Sequence, residues 1–304
     1  VDFLKEIGLD PSKFSWPVKT IKIYNEKNKS KELIEFNNQD RYLFLLVKNK
    51  LFYNFLKKKL FNNKNFSKKI VSDSFNLSKL LDSKYDLIIN CLSNNKLSKK
   101  YFSKRIKKNY NSKAITTIIN HEINNNKTAF QVFTKFGPLA FLPISNKKTS
   151  VVFSVFDRAL IKDKLRIVSL IKYYNKSYKI KNIGELKEFP IYLSLSRNYF
   201  NRNILSFGDA LHRIHPLAGQ GFNMTLRDAR ILSELIKNNL DLGLSLNSVL
   251  EKFERKRKNT NFLFGIGVDF LHEFFKLLNK YNIKSVDKFF KITNKNKFIK
   301  KKLE

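Results

Sequence analysis

The sequence predicts an α/β fold in which short buried strands and helices accompany a mostly antiparallel sheet. Two continuous apolar runs, residues 85–91 and 204–207, have the length and composition of parallel strands buried on both faces. Between them, strand-length segments separated by turn-forming residues are typical of an antiparallel sheet. Beyond Leu246 the pattern is helical and basic, so the sheet region is expected to be followed by C-terminal helices.

The N-terminal part is predicted to begin with the end of a helix that closes at Gly8, because glycine tolerates the left-handed conformation that terminates helices. Residues 17–24 alternate apolar and polar side chains, which predicts a half-buried strand, and residues 42–47 are predicted to form a second one. Leu51, Phe55 and Leu60 then mark one face of a helix.

The central sheet is predicted from four segments, residues 114–119, 128–133, 139–142 and 150–156. The later strand at residues 204–207 is followed by a glycine-containing loop and a helix that begins near Asn223. The core face of that helix is predicted to hold Ala229, Leu232, Leu235, Ile236 and Leu240.

The chain is strongly basic, with a formal net charge of +35 at pH 7. Lysine occurs in nearly every segment beside abundant Asn, Ile, Phe and Tyr, which indicates a chain-wide compositional bias more than an organised polyanion-binding patch. Zinc-finger spacing, a basic region joined to heptads and an aromatic RNA-binding signature are all missing from the sequence, so we expect no specific nucleic-acid binding.

The C-terminal region joins this positive charge to apolar side chains, which predicts either a basic amphipathic surface for lipid or a partner, or packing against the rest of the chain. The apolar residues concerned are Phe262, Phe264, Phe270, Leu271, Phe274, Phe275, Leu277 and Leu278.

Cys91 is the only cysteine, which excludes a disulfide framework and a cysteine-based zinc site within this chain. We therefore expect no metal and a reducing compartment. No stretch approaches the roughly 20 apolar residues of a membrane-spanning helix, and no signal-peptide pattern is visible at the N-terminus. These features favour a cytoplasmic protein with peripheral contact on the inner face of the cell membrane.

The segment of residues 208–229 carries most of the functional information. Asp209 directly follows a strand, so its carboxylate is expected at the sheet edge where ligands of α/β sheets bind, in position to accept hydrogen bonds from a polyol. Pro216 stiffens the loop, while Gly219 and Gly221 let backbone approach a flat ligand. The N-terminus of the following helix favours an anionic or electron-rich ligand. A lone Gly-x-Gly before a helix would be only a tight turn.

The complete run resembles the second FAD-binding motif of class A flavin monooxygenases, Gly-Asp-Ala-Ala-His, then Pro and Gly-Gln-Gly-x-Asn, then Asp-Ala on a helix. The resemblance implies that Asp209 holds the ribityl chain of FAD, and that the loop and helix N-terminus stabilise the negative charge of the reduced flavin. The cofactor-binding residues implied in this way are Gly208, Asp209, Pro216, Ala218, Gly219, Gln220, Gly221, Phe222 and Asn223.

Two segments narrow the resemblance to hydroxylases of ubiquinone biosynthesis. Residues 133–144 are similar to their Phe-Thr-x-x-Gly-Pro-Leu-Ala-x-Leu-Pro segment, and residues 215–223 are similar to their His-Pro-x-Ala-Gly-Gln-Gly-x-Asn. On the substrate side the resemblance implies Gly137, Pro138, Leu142 and Pro143. Taken without the family, Gly137-Pro138 is a turn between strands.

The resemblance implies an enzyme, an FAD-dependent monooxygenase that uses NAD(P)H and O2 to hydroxylate a polyprenylated phenol or quinol. No catalytic side chain is assigned, because the flavin C4a-hydroperoxide supplies the reactivity in this family, and structural roles are expected for His212 and His215. The implied partners are a lipophilic aromatic substrate and other quinone-biosynthesis proteins. Two alternatives stay open: a class A enzyme for a small soluble aromatic, and a degenerate scaffold without activity.

The implied architecture is a Rossmann-like FAD-binding domain interrupted by an antiparallel substrate-binding sheet domain. We assign residues 1–16, 43–112 and 197–260 to the FAD domain and residues 17–42 and 113–196 to the sheet domain. Residues 261–304 are assigned to a basic C-terminal helical region.

Two parts depart from the family pattern. None of the nine glycines lies in a Gly-x-Gly-x-x-Gly fingerprint, so we expect the sequence to start after that element, with the first strand of the FAD domain missing. Where the family has Ala-Asp-Gly after a buried strand, this chain has Cys91, Leu92 and Ser93. Either the pyrophosphate and nicotinamide contacts are made differently, or this chain binds the cofactor poorly.

Overall fold

The computed structural model describes residues 2–26, 32–38, 42–70, 85–214 and 220–281. The chain divides into two compact units. The first takes its residues from Val1–Lys68, Ser112–Pro190 and Lys276–Glu304, and the second from Lys69–Asn111 and Ile191–Phe275.

The described strands are β1 (Ser15–Val18), β2 (Thr20–Asn25), β3 (Glu32–Asn37), β4 (Phe44–Val47), β5 (Ile88–Asn90), β6 (Arg105–His121), β7 (Thr128–Thr134), β8 (Gly137–Ser145), β9 (Lys148–Val155), β10 (Ile180–Ile183), β11 (Lys187–Ser196), β12 (Phe200–Asn201), β13 (Ile204–Ser206) and β14 (His212–Arg213). The described helices are α1 (Asp2–Glu6), α2 (Asn49–Phe61), α3 (Lys96–Tyr101), α4 (Arg158–Lys162), α5 (Lys164–Tyr174), α6 (Gln220–Asp241) and α7 (Leu246–Tyr281).

The first unit is built on a sheet in the order β6-β9-β8-β7-β2-β3, with β10 added to β6. Neighbours are antiparallel except β2 and β7, which run parallel with Thr20 opposite Thr128. Side chains of β8 alternate, so that Leu139 and Phe141 are fully buried. Phe141 stacks on Phe130 with ring centroids 4.4 Å apart, and α5 adds its own buried face to this core.

The turn between β7 and β8 requires glycine at position 137. Gly137 has a φ of 132°, and a Cβ placed there would lie 1.9 Å from the carbonyl oxygen of Ser154. The carbonyl of Gly137 accepts a hydrogen bond of 2.7 Å from the hydroxyl of Thr134, which closes the turn. This close approach of two backbones explains why no larger residue fits.

The second unit contains a small sheet in the order β12-β13-β5. β13 and β5 pair in parallel, with Ile204 opposite Ile88 and Ser206 opposite Asn90. The helices α6 and α7 enclose a core with β13, formed by Leu205, Leu211, Leu232, Leu235, Val249, Leu250 and Phe253 with Tyr199. This parallel pair places the ends of two strands side by side.

The predicted elements are present, although several bounds differ. The N-terminal helix ends at Glu6, two residues before Gly8, whose φ is 70°. The predicted strand 17–24 is two strands, because the chain turns from β1 to β2 at Lys19. β6 begins at Arg105, nine residues earlier than predicted, because its first half is mostly polar and lacks a clear alternation of apolar and polar side chains. We did not predict β3, β10, β11 or the helices α3, α4 and α5.

The compact units change over at residues 111/112 and 190/191, and the predicted domain bounds stay a prediction. Residues 1–16 and 43–68 group with the large sheet in the first unit, whereas we assigned them to the FAD domain. Their assignment to a cofactor domain stays a prediction. The C-terminal region is helical to Tyr281, and the rest of it lies outside the described residues.

Replacing Gly137 by Ala should lower the free energy of unfolding by about 3 kcal/mol, because the positive φ and the steric overlap both penalise a Cβ. As a matched control, Gly267→Ala in α7 should raise it by up to about 1 kcal/mol, because a Cβ there meets no atom of the described part of the chain within 4 Å. Urea unfolding followed by circular dichroism measures both changes. Equal stability of the two variants would contradict the assigned role of Gly137.

Candidate functional site

The carboxyl ends of β5 and β13 form one edge of the small sheet. The N–H of Phe207 donates a hydrogen bond of 2.9 Å to the carbonyl of Asn90, so the segments that follow the two strands start side by side. At this edge desolvation, and then the negative charge of Asp209, raise the pKa of the exposed Cys91 thiol. The edge therefore carries a carboxylate and a neutral thiol.

Asp209 sits in a tight 3-10 turn, Gly208–Ala210. Gly208 is buried with a φ of 55°, a conformation that glycine adopts without strain. The side chain of Asp209 is exposed, so its oxygens are accessible to an external hydrogen-bond donor. This arrangement agrees with the carboxylate position expected from the sequence.

Arg105, the first residue of β6, forms hydrogen bonds that stabilise this turn. Its guanidinium donates one hydrogen bond of 2.5 Å to the carbonyl of Ala210 and another of 2.7 Å to the hydroxyl of Ser194. Burial lowers the pKa of Arg105 from its usual value. We did not predict this role, because Arg105 is one basic residue among many in a polar stretch.

The helix α6 begins at Gln220, so Gly221, Phe222 and Asn223 lie in its first turn. Phe222 and Asn223 are exposed, and the amide of Asn223 donates a hydrogen bond of 3.4 Å to the side chain of Gln220. Among the described residues a Cβ on Gly221 would meet only Ile214, at 3.8 Å, so the described packing does not require glycine there. A close approach to a ligand is the reason that the sequence suggested.

The remaining predicted cofactor residues, Pro216, Ala218 and Gly219, lie outside the described residues, as does His215. The substrate-side candidates belong to the first unit, where Gly137, Pro138, Leu142 and Pro143 are all in β8. The described flavin-side residues belong to the second unit. The individual residue assignments on both sides stay predictions.

The segment that departs from the family pattern, residues 90–98, is held by hydrogen bonds of neutral side chains. Asn90 is buried, donates a hydrogen bond of 2.8 Å to the hydroxyl of Ser98, and accepts one of 2.7 Å from Asn95. Ser98 in turn donates to the carbonyl of Leu92, whose own side chain is 67% exposed. An exposed apolar side chain therefore occupies the place of the family's carboxylate.

We did not predict a buried network of hydrogen bonds around Asp228. Asp228 on α6 is fully buried and accepts hydrogen bonds from His212 on β14, at 2.6 Å, and from Arg257 on α7, at 2.5 Å. Asn261 donates to both carboxylate oxygens at 3.2 Å. The sequence does contain an indication of this network, because Asp228 lies four residues before Leu232 and therefore on the core face of the helix.

This network confirms a structural role for His212, as expected. One ring nitrogen is engaged by Asp228, and the side chain is almost fully buried. Tyr199 extends the network, since its hydroxyl accepts a hydrogen bond of 3.3 Å from Asn261. Burial, followed by the negative charge of Asp228, raises the pKa of Tyr199. The groups are arranged to hold three elements together.

A cavity of about 140 Å³ lies beside the network. It is lined by Ile106, Leu195, Ser196, Arg197, Tyr199, Leu211, His212, Lys258, Asn259, Asn261 and Phe262. Across the described ranges, we find no cluster of side chains suited to hold a metal ion. No helix in the same ranges is long and apolar enough to cross a membrane.

The chain is similar to known proteins in sequence and in fold. A family model described as squalene epoxidase matches residues 175–288. Ubiquinone hydroxylase UbiL of Rhodospirillum rubrum is 26% identical over 162 residues, which cover 51% of this chain and 38% of the relative. The 3-demethoxyubiquinol 3-hydroxylase of Escherichia coli is 29% identical over 154 residues, covering 48% and 39%. The chain thus spans less than half of the length of these relatives.

Two solved structures show the same fold. The p-nitrophenol 4-monooxygenase PnpA from Pseudomonas putida DLL-E4 has a TM-score of 0.76 at 13% identity, covering 99% of this chain and 84% of its own. HpxO from Klebsiella pneumoniae, solved with FAD and uric acid, has a TM-score of 0.69 at 12% identity, covering 97% and 81%. The chain is therefore similar in sequence to hydroxylases of ubiquinone biosynthesis and shares the fold of these solved monooxygenases, and the predicted α/β fold class is confirmed.

Replacing Asp228 by Asn should lower the free energy of unfolding by about 3–5 kcal/mol, because Arg257 would keep a buried charge without its partner. The matched substitution Asp209→Asn, at an exposed site, should change it by less than about 0.5 kcal/mol. Chemical unfolding of both variants measures the difference. A loss at Asp228 no greater than that at Asp209 would show that the network contributes little to stability.

Proposed function

We propose that this chain acts in an FAD-dependent aromatic hydroxylase that uses NAD(P)H and O2 on a polyprenylated phenol or quinol precursor in ubiquinone biosynthesis. The observation that carries the proposal is the exposed carboxylate of Asp209, held at a sheet edge by Gly208 and Arg105. The names of the relatives support the chemistry, since UbiL and the E. coli enzyme are hydroxylases of ubiquinone and demethoxyubiquinol.

The described residues fit one end of FAD. Asp209 would accept hydrogen bonds from the ribityl hydroxyls, and the first turn of α6 would direct its N–H groups and positive dipole end towards the negatively charged ring. Gly221 would let the ring approach the backbone, because no side chain projects from that position. FAD, when bound, supplies the reduction of O2 and the transfer of one oxygen atom to the substrate ring.

The protein's own contribution is orientation and exclusion of water. His212 is engaged by Asp228 and buried, so we propose no proton transfer by that side chain. On the substrate side we propose Gly137, Pro138, Leu142 and Pro143, by resemblance. For Gly137 the turn geometry already explains the choice of residue, whereas Leu142 is a half-buried apolar side chain suited to a lipophilic ring.

Two other functions have support. A class A enzyme for a small soluble aromatic is favoured by the likeness to PnpA and HpxO, whose printed names and ligand refer to p-nitrophenol and uric acid. A scaffold without activity is favoured by the segment around Asn90 and Leu92, where neutral groups replace the family's carboxylate. We further propose a cytoplasmic location on the inner face of the cell membrane, and assembly with other quinone-biosynthesis proteins.

Replacing Asp209 by Ala should weaken FAD binding at least about tenfold, because hydrogen bonds to a charged acceptor contribute about 1.5–3 kcal/mol. Asp241→Ala, at an exposed aspartate on the other end of α6, is the control and should bind as the unaltered chain does. Quenching of flavin fluorescence during titration gives the affinity. Purified full-length protein that is colourless and takes up no added FAD would favour the scaffold.

Substrate choice is tested by NAD(P)H consumption. With FAD bound, a short-chain prenylated phenol should stimulate NADH or NADPH oxidation and appear as a product one oxygen atom heavier by mass spectrometry. Stimulation by p-nitrophenol or urate, with none by the prenylated ring, would favour the small-aromatic alternative. FAD binding without consumption of either nucleotide would separate a failure of the reaction from a failure of the cofactor site.

A further inference from the structure

The cavity beside the hydrogen-bond network of Asp228 is enclosed by residues of the second unit alone. Its walls come from the start of β6, the end of β11, the segment that leads into β14, and α7. Leu195 and Leu211 are buried and form part of the interior, whereas Arg197 and Asn259 are exposed and mark the opening. The cavity therefore has an apolar interior and a polar, positively charged mouth.

The strand that we expect to precede this sequence would not fill the cavity. A further parallel strand can extend the small sheet only beside β5, because β13 already has β5 on one side and β12 on the other. The residues that line the cavity include none from β5, β12 or β13. The cavity is therefore formed by elements that the structure describes.

The volume of the cavity, about 140 Å³, suits a single aromatic ring. An apolar cavity of roughly 150 Å³ is large enough to bind benzene in a protein interior. Ile106, Leu195, Leu211 and Phe262 supply the apolar contacts that a ring requires. The size and the apolar lining together favour a ligand with one ring and few other atoms.

The charged residues that line the cavity are the cations Arg197 and Lys258, and no acidic side chain is among them. Lys258 is shared with Glu254, whose carboxylate lies 2.5 Å from its Nζ. The guanidinium of Arg197 forms no hydrogen bond or ion pair with the residues that the structure describes. The buried carboxylate of Asp228 is outside the lining and is paired with Arg257. Arg197 is therefore available to an anionic group of a ligand.

The hydroxyl of Tyr199 is a second group with an unused hydrogen-bonding capacity. It accepts a hydrogen bond of 3.3 Å from Asn261, and within the described ranges its own hydrogen has no acceptor. Burial raises the pKa of this hydroxyl, so it keeps that hydrogen. A buried donor without an acceptor is unfavourable, and an oxygen atom of a molecule in the cavity would relieve this cost.

We propose that this cavity is a binding site for a small aromatic carboxylate, with the ring against the apolar lining and the carboxylate towards Arg197 and Tyr199. The site contains none of the residues proposed to hold FAD, and the substrate-side candidates belong to the first unit. It therefore goes beyond the hydroxylase function and does not depend on the binding of FAD.

Calorimetric titration of the chain without FAD tests the charge requirement, with benzoate and its neutral isostere benzamide as probes. Benzoate should bind at least about threefold more tightly than benzamide, because only the carboxylate pairs with Arg197. Arg197→Gln should remove this difference between the two probes. The control is Arg255→Gln, which removes the same charge from an exposed arginine outside the cavity and should bind as the unaltered chain does.

Filling the cavity separates this site from binding elsewhere on the chain. Ile106 is a half-buried lining residue, so Ile106→Trp should occupy the space of the ring and weaken the binding of both probes at least about tenfold. Leu165→Trp, at a leucine on α5 that is 83% exposed, should leave both affinities unchanged. Circular dichroism checks that each variant is folded.

Benzoate binding that survives Ile106→Trp would place the ligand elsewhere and overturn the proposal. Equal affinities of benzoate and benzamide, or equal losses in the variants Arg197→Gln and Arg255→Gln, would also overturn it. A chain that binds benzoate as expected but takes up no FAD would support this site and contradict only the proposed hydroxylase function.

Discussion

The second unit depends on one interaction, the burial of the Asp228 carboxylate. A carboxylate removed from water is strongly unfavourable unless its oxygens are paired, and here the donors come from β14 and α7 while the acceptor is on α6. Apolar packing between Leu232 and Phe253 would tolerate small sliding of one helix along the other. Hydrogen bonds to a single buried carboxylate do not tolerate such sliding. They therefore fix the register in which the turn Gly208–Ala210 is held.

Much of the fold could be predicted because its signals are local. The strands β7, β8 and β9 lie within a few residues of their predicted bounds, since their apolar alternation is strong and their turns contain typical residues. The first half of β6 was missed because lysine and asparagine occupy its exposed positions and weaken the pattern. The strand β11 was missed because its first four residues, 187–190, are all exposed and include two charged side chains and a proline. The break between β1 and β2 was also missed, because alternation continues through a bend that only tertiary pairing imposes.

The candidate site was predicted unevenly for a similar reason. Asp209 and the start of α6 follow from short-range order, strand then turn then helix, which sequence expresses directly. Arg105 and Arg257 bond to that region from 105 and 29 residues away in the chain, and among 60 basic residues nothing in the sequence distinguishes them. Asp228 was the residue from which the network could have been predicted, because an acid on the apolar face of a helix requires a buried partner.

The position of Cys91 bears on how such a site would withstand its own oxidants. Sulfur is attacked by peroxide mainly as the thiolate. Desolvation, followed by the negative charge of Asp209, raises the pKa of this exposed thiol and so disfavours the thiolate. The group proposed to hold the ribityl chain would then also lower the reactivity of this cysteine towards oxidants.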